Sequence, residues 1–332
     1  MLSFVSHVKI CSGYEDYKDR AIYYIKHIDF FCKKYNIEYD ITVIEHVDEK
    51  NSFLLYKNIK SIVSDSINVN IIPISVESYP NKFDFNMNEF NGINLGIIHS
   101  KYKFIIINNI DIIYDEEFFK FSKTLVPATL YRITTYEINN INTDSDSFME
   151  HQLLFKKNIC HCCFPISKSK SPSQIGIKSG DIMVLDRDSW LKVNGVPYGD
   201  YRFHTDFSII LVLMNNFSVI IPDKKICIYT KKQNSRNSKV IDDDKKIEIH
   251  LPYDDPIKKT LHLNKYINSG HDGKLLFDRF DIKMRDDKLY VNVDYGKYTL
   301  FLQWINALSY RNKLICNEQT IDEIVKDFKI LN

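Results

Sequence analysis

The stretch Lys103-Phe-Ile-Ile-Ile-Asn-Asn-Ile-Asp-Ile-Ile-Tyr114 begins as an apolar, β-branched block and then turns polar. Its first half fits a β-strand that is buried on both faces. Asn109 and Asp111 follow that strand directly, at the end where open α/β sheets bind their ligands. An amide and a carboxylate oxygen suit a hard divalent cation that also holds phosphate oxygens. The stretch therefore predicts an α/β enzyme that acts on a phosphorylated nucleotide.

The composition excludes several classes of protein. The 332 residues carry 44 basic and 43 acidic side chains, so no global positive field would attract nucleic acid. No stretch approaches the ~18 consecutive apolar residues of a membrane span, and the first residues lack the pattern of a signal peptide. Seven cysteines, an odd number scattered along the chain, indicate reduced thiols. We therefore expect a cytoplasmic protein with no membrane span and no nucleic-acid partner.

Apolar periodicity predicts strands and helices that alternate up to Asp111. This alternation indicates right-handed crossovers between parallel strands. The expected fold is α/β, a Rossmann-type mixed sheet that is mainly parallel and has helices on both faces. The predicted strands are 7–11, 39–45, 69–73 and 103–107, and the predicted helices are 15–35, 52–64 and 90–100.

The pattern is less regular after Asp111. The long polar segment 139–179 has no clear period, which is typical of a functional lid. A charged segment after residue 230 separates a small C-terminal α+β appendage, residues 231–332, with a predicted β-hairpin over 280–295 and a helix over 298–310. Between these landmarks we predict helices over 115–125, 187–193 and 205–215 and strands over 130–136, 180–185, 218–221 and 225–229.

Three blocks of sequence follow one another in a recognisable order. The first is Asn91-Gly92-Ile93-Asn94-Leu95-Gly96, which leads into the strand before Asn109-Ile110-Asp111. The second is Gly180-Asp181 with its strand and helix, ending in the turn Asn194-Gly195-Val196-Pro197, and the third is His204-Thr205-Asp206. Together they resemble the GT-A glycosyltransferases of the family-2-like type, with their Asp-x-Asp unit, acceptor-side turn and acidic pair. The resemblance covers roughly residues 5–230.

This resemblance implies a GT-A-like catalytic domain over residues 1–230. Residues 1–115 would form the nucleotide-binding half and residues 180–230 the acceptor half. The implied activity is that of a hexosyltransferase, which moves a sugar from a UDP- or GDP-sugar to a hydroxyl group of a glycan, a protein or a small molecule. The implied cofactor is Mn²⁺ or Mg²⁺.

On the donor side, the resemblance assigns Asp111 and Asn109 to the metal and the diphosphate, Asn94 to the donor and Glu45 to the nucleoside. Each polar side chain also has an ordinary structural interpretation. Asn109 would form a turn, and Glu45 would be a solvated strand-end carboxylate, with Asp48 as its nearest substitute. Asp111 would cap a helix, but the next helix is predicted to begin at residue 115, which is too far away.

On the acceptor side, Asp206 is the candidate general base. A carboxylate at a helix start beside a pocket takes a proton from an acceptor hydroxyl, and such a base implies inversion at the anomeric carbon. Asp181 is the alternative acid, and both residues have a structural alternative as a cap or a local hydrogen-bond acceptor. Trp190 would stack on a sugar or pack in the core, and its helical position favours the core.

Two departures from the family pattern make the site less acidic. Asn109 replaces the first acid of Asp-x-Asp, and Thr230-Lys231-Lys232 stands where related enzymes often carry a metal-binding His. Lys231 or Lys232 would then neutralise the diphosphate, as a cation does in metal-independent members of this fold. Two alternatives remain, a nucleotidyltransferase and a catalytically silent module that binds a nucleotide sugar. Nucleotidyltransferases usually have a Gly-rich, basic loop after the first strand, whereas this chain has Cys11-Ser12-Gly13-Tyr14-Glu15 there.

Overall fold

The computed structural model describes residues 1–11, 16–76, 89–138, 147–157, 159–162, 182–193, 195–196, 213, 217–220, 222, 226–231, 280–285 and 288–293. The described strands are β1 (Leu2–Val8), β2 (Tyr39–Val47), β3 (Val69–Ser75), β4 (Phe104–Asn108), β5 (Ile112–Tyr114), β6 (Thr129–Tyr131), β7 (Thr134–Ile138), β8 (Ile159–Cys162), β9 (Ile182–Asp186), β10 (Ser218–Ile220), β11 (Cys227–Lys231), β12 (Phe280–Arg285) and β13 (Lys288–Val293). The described α-helices are α1 (Asp16–Lys34), α2 (Leu55–Ile62), α3 (Glu89–His99), α4 (Glu116–Phe121), α5 (Phe148–Lys157) and α6 (Arg187–Lys192), and a 3₁₀ turn over Ser122–Thr124 follows α4.

The strands form a large sheet and a small one. The large sheet has the order β10-β6-β9-β4-β1-β2-β3-β13-β12, and the small sheet has the order β5-β11-β7-β8. β1 to β4 run parallel to one another, whereas β9 is antiparallel to both of its neighbours. The prediction of an α/β fold with a mainly parallel sheet is confirmed.

Apolar side chains cover both faces of the large sheet. Phe4 and Ile106 belong to the main core cluster, which also contains the buried face of α1. Val5, the neighbour of Phe4 on the strand, points to the opposite face, where α3 crosses β1. A Cβ atom at Gly96 of α3 would lie 2.1 Å from Cγ1 of Val5, so a glycine is needed for this close approach. The predicted helices on both faces are therefore confirmed.

Several predicted boundaries are wrong, each for a local reason. β1 begins at Leu2 and not at His7. The prediction missed its first residues because Ser3 and Ser6 are polar, although both are buried within the strand. The strand predicted over 130–136 is two strands, β6 and β7, which belong to different sheets. The segment predicted as one long lid contains α5 and β8. Buried His151 and Gln152 obscure the helical period of α5 in the sequence.

The hairpin predicted in the C-terminal appendage is confirmed. β12 and β13 pair in antiparallel register from Phe280 with Val293 to Arg285 with Lys288. β13 also pairs with β3 at Leu289 and Ile74, so the hairpin extends the edge of the large sheet. The helix predicted over 298–310 lies outside the described residues. None of the helices that the structure describes has the length and the apolar composition to cross a bilayer.

Candidate functional site

The large sheet reverses its strand order between β1 and β4. The chain passes from β1 to β2 and β3 on one side and then returns to β4 on the other side of β1. Open α/β sheets bind their ligands outside the carboxyl ends of the strands at such a reversal. The residues that follow β4, which include Asn109 and Asp111, therefore form the candidate functional site.

A buried amide ends β4 and starts the turn that shapes the site. Oδ1 of Asn108 accepts hydrogen bonds from the hydroxyls of Tyr24 at 2.9 Å and Tyr114 at 2.8 Å. Its Nδ2 donates to the carbonyl of Asn109 at 2.6 Å. The same carbonyl accepts the N–H of Ile112 at 3.2 Å, which closes a tight turn over residues 109–112. The exposed Asn109 begins this turn, and Asp111 is its third residue.

Asp111 forms an ion pair with a residue of α1. Nη1 of Arg20 donates to Oδ2 of Asp111 at 3.2 Å, and Nη2 of Arg20 donates to Oδ2 of Asp16 at 2.6 Å. The side chains of Arg20 and Asp111 are only 11% and 9% exposed, whereas that of Asp16 is 50% exposed. Burial raises the pKa of Asp111 above its ordinary value, and the adjacent Arg20 opposes that rise. α4 begins at Glu116 with Asp115 as its cap, so Asp111 does not cap a helix.

The described residues around Asp111 fit Mn²⁺ or Mg²⁺ poorly. Asn109 is neutral, and a guanidinium nitrogen of Arg20 already lies 3.2 Å from Oδ2 of Asp111. Like charges at such a distance repel each other, most strongly where water is scarce. In the part of the chain that the structure describes, no three His, Cys, Asp or Glu side chains cluster as metal ligands. The metal-binding role of Asp111 and Asn109 stays a prediction.

A second basic residue, Lys231, ends the strand of the small sheet that pairs with β5. β11 is antiparallel to β5, with Thr230 opposite Ile112. Lys231, the last residue of β11, follows Thr230 and therefore ends its strand near the start of β5, which Asp111 directly precedes. The expected role of Lys231 at the diphosphate stays a prediction. Lys232 lies outside the described residues.

Glu45 caps α2 from a neighbouring strand. The carboxylate is fully buried, and its two oxygens accept the N–H groups of Leu55 at 2.6 Å and Tyr56 at 2.8 Å. α2 begins at Leu55, and its N-cap residue Leu54 has no side-chain oxygen to satisfy these first amides. Glu45 therefore supplies the missing cap. Its predicted contact with a nucleoside stays a prediction, and both of its oxygens already have backbone partners.

Glu45 is expected to make the stability of the protein depend on pH. Burial raises the pKa of Glu45 from 4.5 to about 7, against the effect of the two N–H groups. A raised pKa in the folded state stabilises the fold below the unfolded pKa, and this contribution is lost as the pH rises through 7. Urea unfolding at a series of pH values measures this effect. Between about pH 5 and about pH 8, the free energy of unfolding of wild type should fall by up to about 3 kcal/mol more than that of Glu45→Gln. The readout is the slope of the free energy of unfolding against pH, because Glu45→Gln also loses one hydrogen-bond acceptor and so differs from wild type at every pH. Parallel pH profiles of the two proteins would contradict the prediction.

Asp48, the substitute considered for Glu45, is also engaged. Its Oδ2 lies 2.5 Å from Nζ of Lys9, at the carboxyl end of β1, and its Oδ1 accepts the N–H of Lys50 at 2.8 Å. The pair is nearly buried, with side-chain exposures of 8% for Lys9 and 11% for Asp48. Asp48 thus joins the segments after β1 and β2 next to the candidate site.

Asn94 connects α3 to the turn that follows α6. Its Oδ1 accepts the N–H of Val196 at 2.7 Å, and its Nδ2 donates to the carbonyl of Val196 at 3.0 Å. The side chain is fully buried. The amide therefore holds the turn predicted for the acceptor side against the helix that precedes β4. A donor contact for Asn94 remains a prediction, and the structure shows a connecting role.

The two candidate bases lie outside the described residues. Asp181 immediately precedes β9, and Asp206 belongs to the segment 197–212, which the structure does not describe. Trp190 is fully buried in α6, so the expected core position is confirmed. Arg20 is a site residue that the sequence reasoning missed. Its i, i+4 spacing from Asp16 was visible, but nothing in the sequence linked it to Asp111, 91 residues away.

Comparison with known proteins gives structural neighbours only. No protein-family model matches the chain, and no curated protein matches it. The catalytic domain of Drosophila beta1,4-galactosyltransferase 7, in complex with xylobiose, aligns with 89% of this chain and 95% of its own, at 13% identity and a TM-score of 0.37. Staphylococcus aureus TarS, residues 1–349, covers 89% of this chain and 97% of its own, at 8% identity and a TM-score of 0.44.

A third neighbour is glucosyl-3-phosphoglycerate synthase from Mycobacterium tuberculosis, in complex with phosphoglyceric acid. It aligns with 73% of this chain and 74% of its own, at 8% identity and a TM-score of 0.36. The neighbours thus include glycosyltransferases, the class that the three sequence blocks resemble.

Proposed function

We propose that the protein is a glycosyltransferase that moves a sugar from a UDP- or GDP-sugar to an acceptor hydroxyl, with inversion. The observation that carries the proposal is the position of Asp111 and Arg20 beyond the carboxyl end of β4, where the sheet reverses its order. The three sequence blocks support it, because the first leads into this strand and the second into the turn that Asn94 holds. The odd number of cysteines supports a cytoplasmic location.

The expected chemistry follows from the charges of the site. A departing nucleoside diphosphate gains negative charge in the transition state, and fixed cations that face it lower the barrier. Arg20, and Lys231 at the end of β11, are the cations that we propose for that task among the described residues. A carboxylate base, Asp206 or Asp181, would take the proton of the acceptor hydroxyl as it attacks the anomeric carbon.

A screen of nucleotide sugars tests this proposal. We expect at least one UDP- or GDP-sugar to raise the melting temperature, because a ligand that binds only the folded state stabilises it. The same compound should release its nucleoside diphosphate when an acceptor is present. Mn²⁺ and EDTA arms of the screen test the expected cofactor. If the protein instead joins a nucleoside triphosphate to a sugar phosphate and releases pyrophosphate, it is a nucleotidyltransferase and our proposal is wrong.

One observation favours a second candidate, a nucleotide-sugar-binding module without activity. Asn109 stands in place of one carboxylate of the family pattern, and the remaining carboxylate of Asp111 is paired with Arg20. The described site therefore has little free negative charge to hold a metal ion for catalysis. Such a module would show the thermal shift without any turnover. Mass spectrometry of the donor after long incubation with a mixture of sugar acceptors separates the two candidates.

A further inference from the structure

Arg20 lies beside Asp111, the residue that the family resemblance assigns to a divalent cation. It lies in α1, and its guanidinium lies between the carboxylates of Asp111 and Asp16, at 3.2 Å and 2.6 Å. The guanidinium is planar and carries five N–H donors that match the oxygens of a phosphate. A cation of this kind supplies to a phosphate the positive charge that a metal ion would supply.

The two carboxylates use only part of this donor set. Asp111 binds at Nη1 and Asp16 at Nη2, whereas the buried Nε–H of Arg20 has no acceptor among the described residues. A buried donor without a partner costs about 1–3 kcal/mol, so an acceptor from a ligand would stabilise the site. Asp111, which is almost completely buried, holds the guanidinium in one orientation. Its carboxylate would therefore orient Arg20 and leave the remaining donors to the ligand.

We infer that Arg20 binds the diphosphate of the nucleotide donor and that this binding needs no divalent cation, with Asp111 as the residue that positions Arg20. The inference rests on the proposed function, because it assigns a role within the same site. It replaces the predicted role of Asp111 as a metal ligand. The phosphate oxygens would accept the unused N–H groups of Arg20, and the partly exposed Asp16 would yield its hydrogen bond more readily than the buried Asp111.

Calorimetric titration of UDP and GDP, in EDTA and again with excess Mn²⁺, tests this inference. We expect one of the nucleotides to bind wild type with the same affinity in both buffers. Arg20→Ala should weaken binding at least tenfold, or about 1.4 kcal/mol. Arg20→Lys keeps the charge but loses the planar set of donors, so its loss of nucleotide affinity should be smaller than that of Arg20→Ala. Lys18→Ala is the matched control, because it removes a positive charge from the same part of α1, where Lys18 covers the ring of Phe53.

Arg20→Ala leaves the carboxylate of Asp111 buried without its partner, so this variant is at risk of unfolding. The double variant Arg20→Gln with Asp111→Asn replaces the ion pair by a neutral one, and it should show the same loss of affinity. Binding that requires Mn²⁺, or binding in EDTA that survives the loss of Arg20, would overturn the inference and leave the proposed function standing. Absence of binding in both buffers would overturn the proposed function as well.

Discussion

Replacing Asp206 by Asn is expected to lower the turnover number by about a hundredfold or more while the affinity for the donor stays unchanged. A general base acts only on the proton of the acceptor hydroxyl, so its loss affects the chemical step and not the binding of the nucleotide. The amide has the same shape as the carboxylate and still accepts hydrogen bonds, so a residue that merely caps its helix would tolerate the change. Steady-state kinetics with a saturating donor, together with calorimetric titration of the donor, give the two readouts.

Asp181→Asn is the matched control, because Asp181 is the other acid assigned to the acceptor side. In the sequence, Asp181 immediately precedes β9, a buried strand of the large sheet. A normal rate for Asp206→Asn combined with a collapse of the rate for Asp181→Asn would transfer the role of base to Asp181. Normal rates for both variants would remove the carboxylate-base mechanism, and the inference of inversion with it.

Replacing Asn94 by Ala is expected to destabilise the protein by about 2–6 kcal/mol. The substitution leaves the N–H and the carbonyl of Val196 without their partner, and each buried backbone group that loses its hydrogen bond costs about 1–3 kcal/mol. The same change frees the acceptor-side turn from α3. Urea unfolding measures the stability, and the Michaelis constants for donor and acceptor show which substrate is affected.

The two Michaelis constants separate the connecting role of Asn94 from the predicted donor contact. If Asn94 holds the turn, the variant is less stable and binds the acceptor less well than wild type. If Asn94 binds the donor, the Michaelis constant of the donor rises while the free energy of unfolding changes little. Asn109→Ala is the control for the unfolding measurement alone, because Asn109 is exposed, and surface substitutions usually change stability by less than about 0.5 kcal/mol.

Much of the fold was predictable because local periodicity reports it. The helix over 15–35 is observed as Asp16–Lys34 and the helix over 90–100 as Glu89–His99. These predictions succeeded because a surface helix or a buried strand has one repeating apolar pattern. They failed where buried positions are polar, as at Ser3 of β1 and at Gln152 of α5. There the compensating hydrogen bonds come from distant parts of the chain, such as the carbonyl of Tyr114, to which Gln152 donates.

The candidate site was predictable only in part. Its position after β4 followed from the apolar block and the polar residues behind it, because strand ends of an α/β sheet converge at one edge. The partners of its side chains were not predictable. Glu45 was chosen as a strand-end acid, but its contacts depend on where α2 begins, 10 and 11 residues later. Asn94 was chosen from a motif, but it binds Val196, which is 102 residues away.

The sequence by itself determined the order of the strands and helices and the place where the chain turns polar after a core strand. These properties depend on neighbouring residues, since side-chain direction repeats along a helix or a strand. Only the tertiary structure decided that Arg20 would lie against Asp111 and that Lys231 would end β11 near the start of β5. Charges of this kind interact through space, so their pairing depends on how α1 and β11 pack against β5 and not on any spacing along the chain.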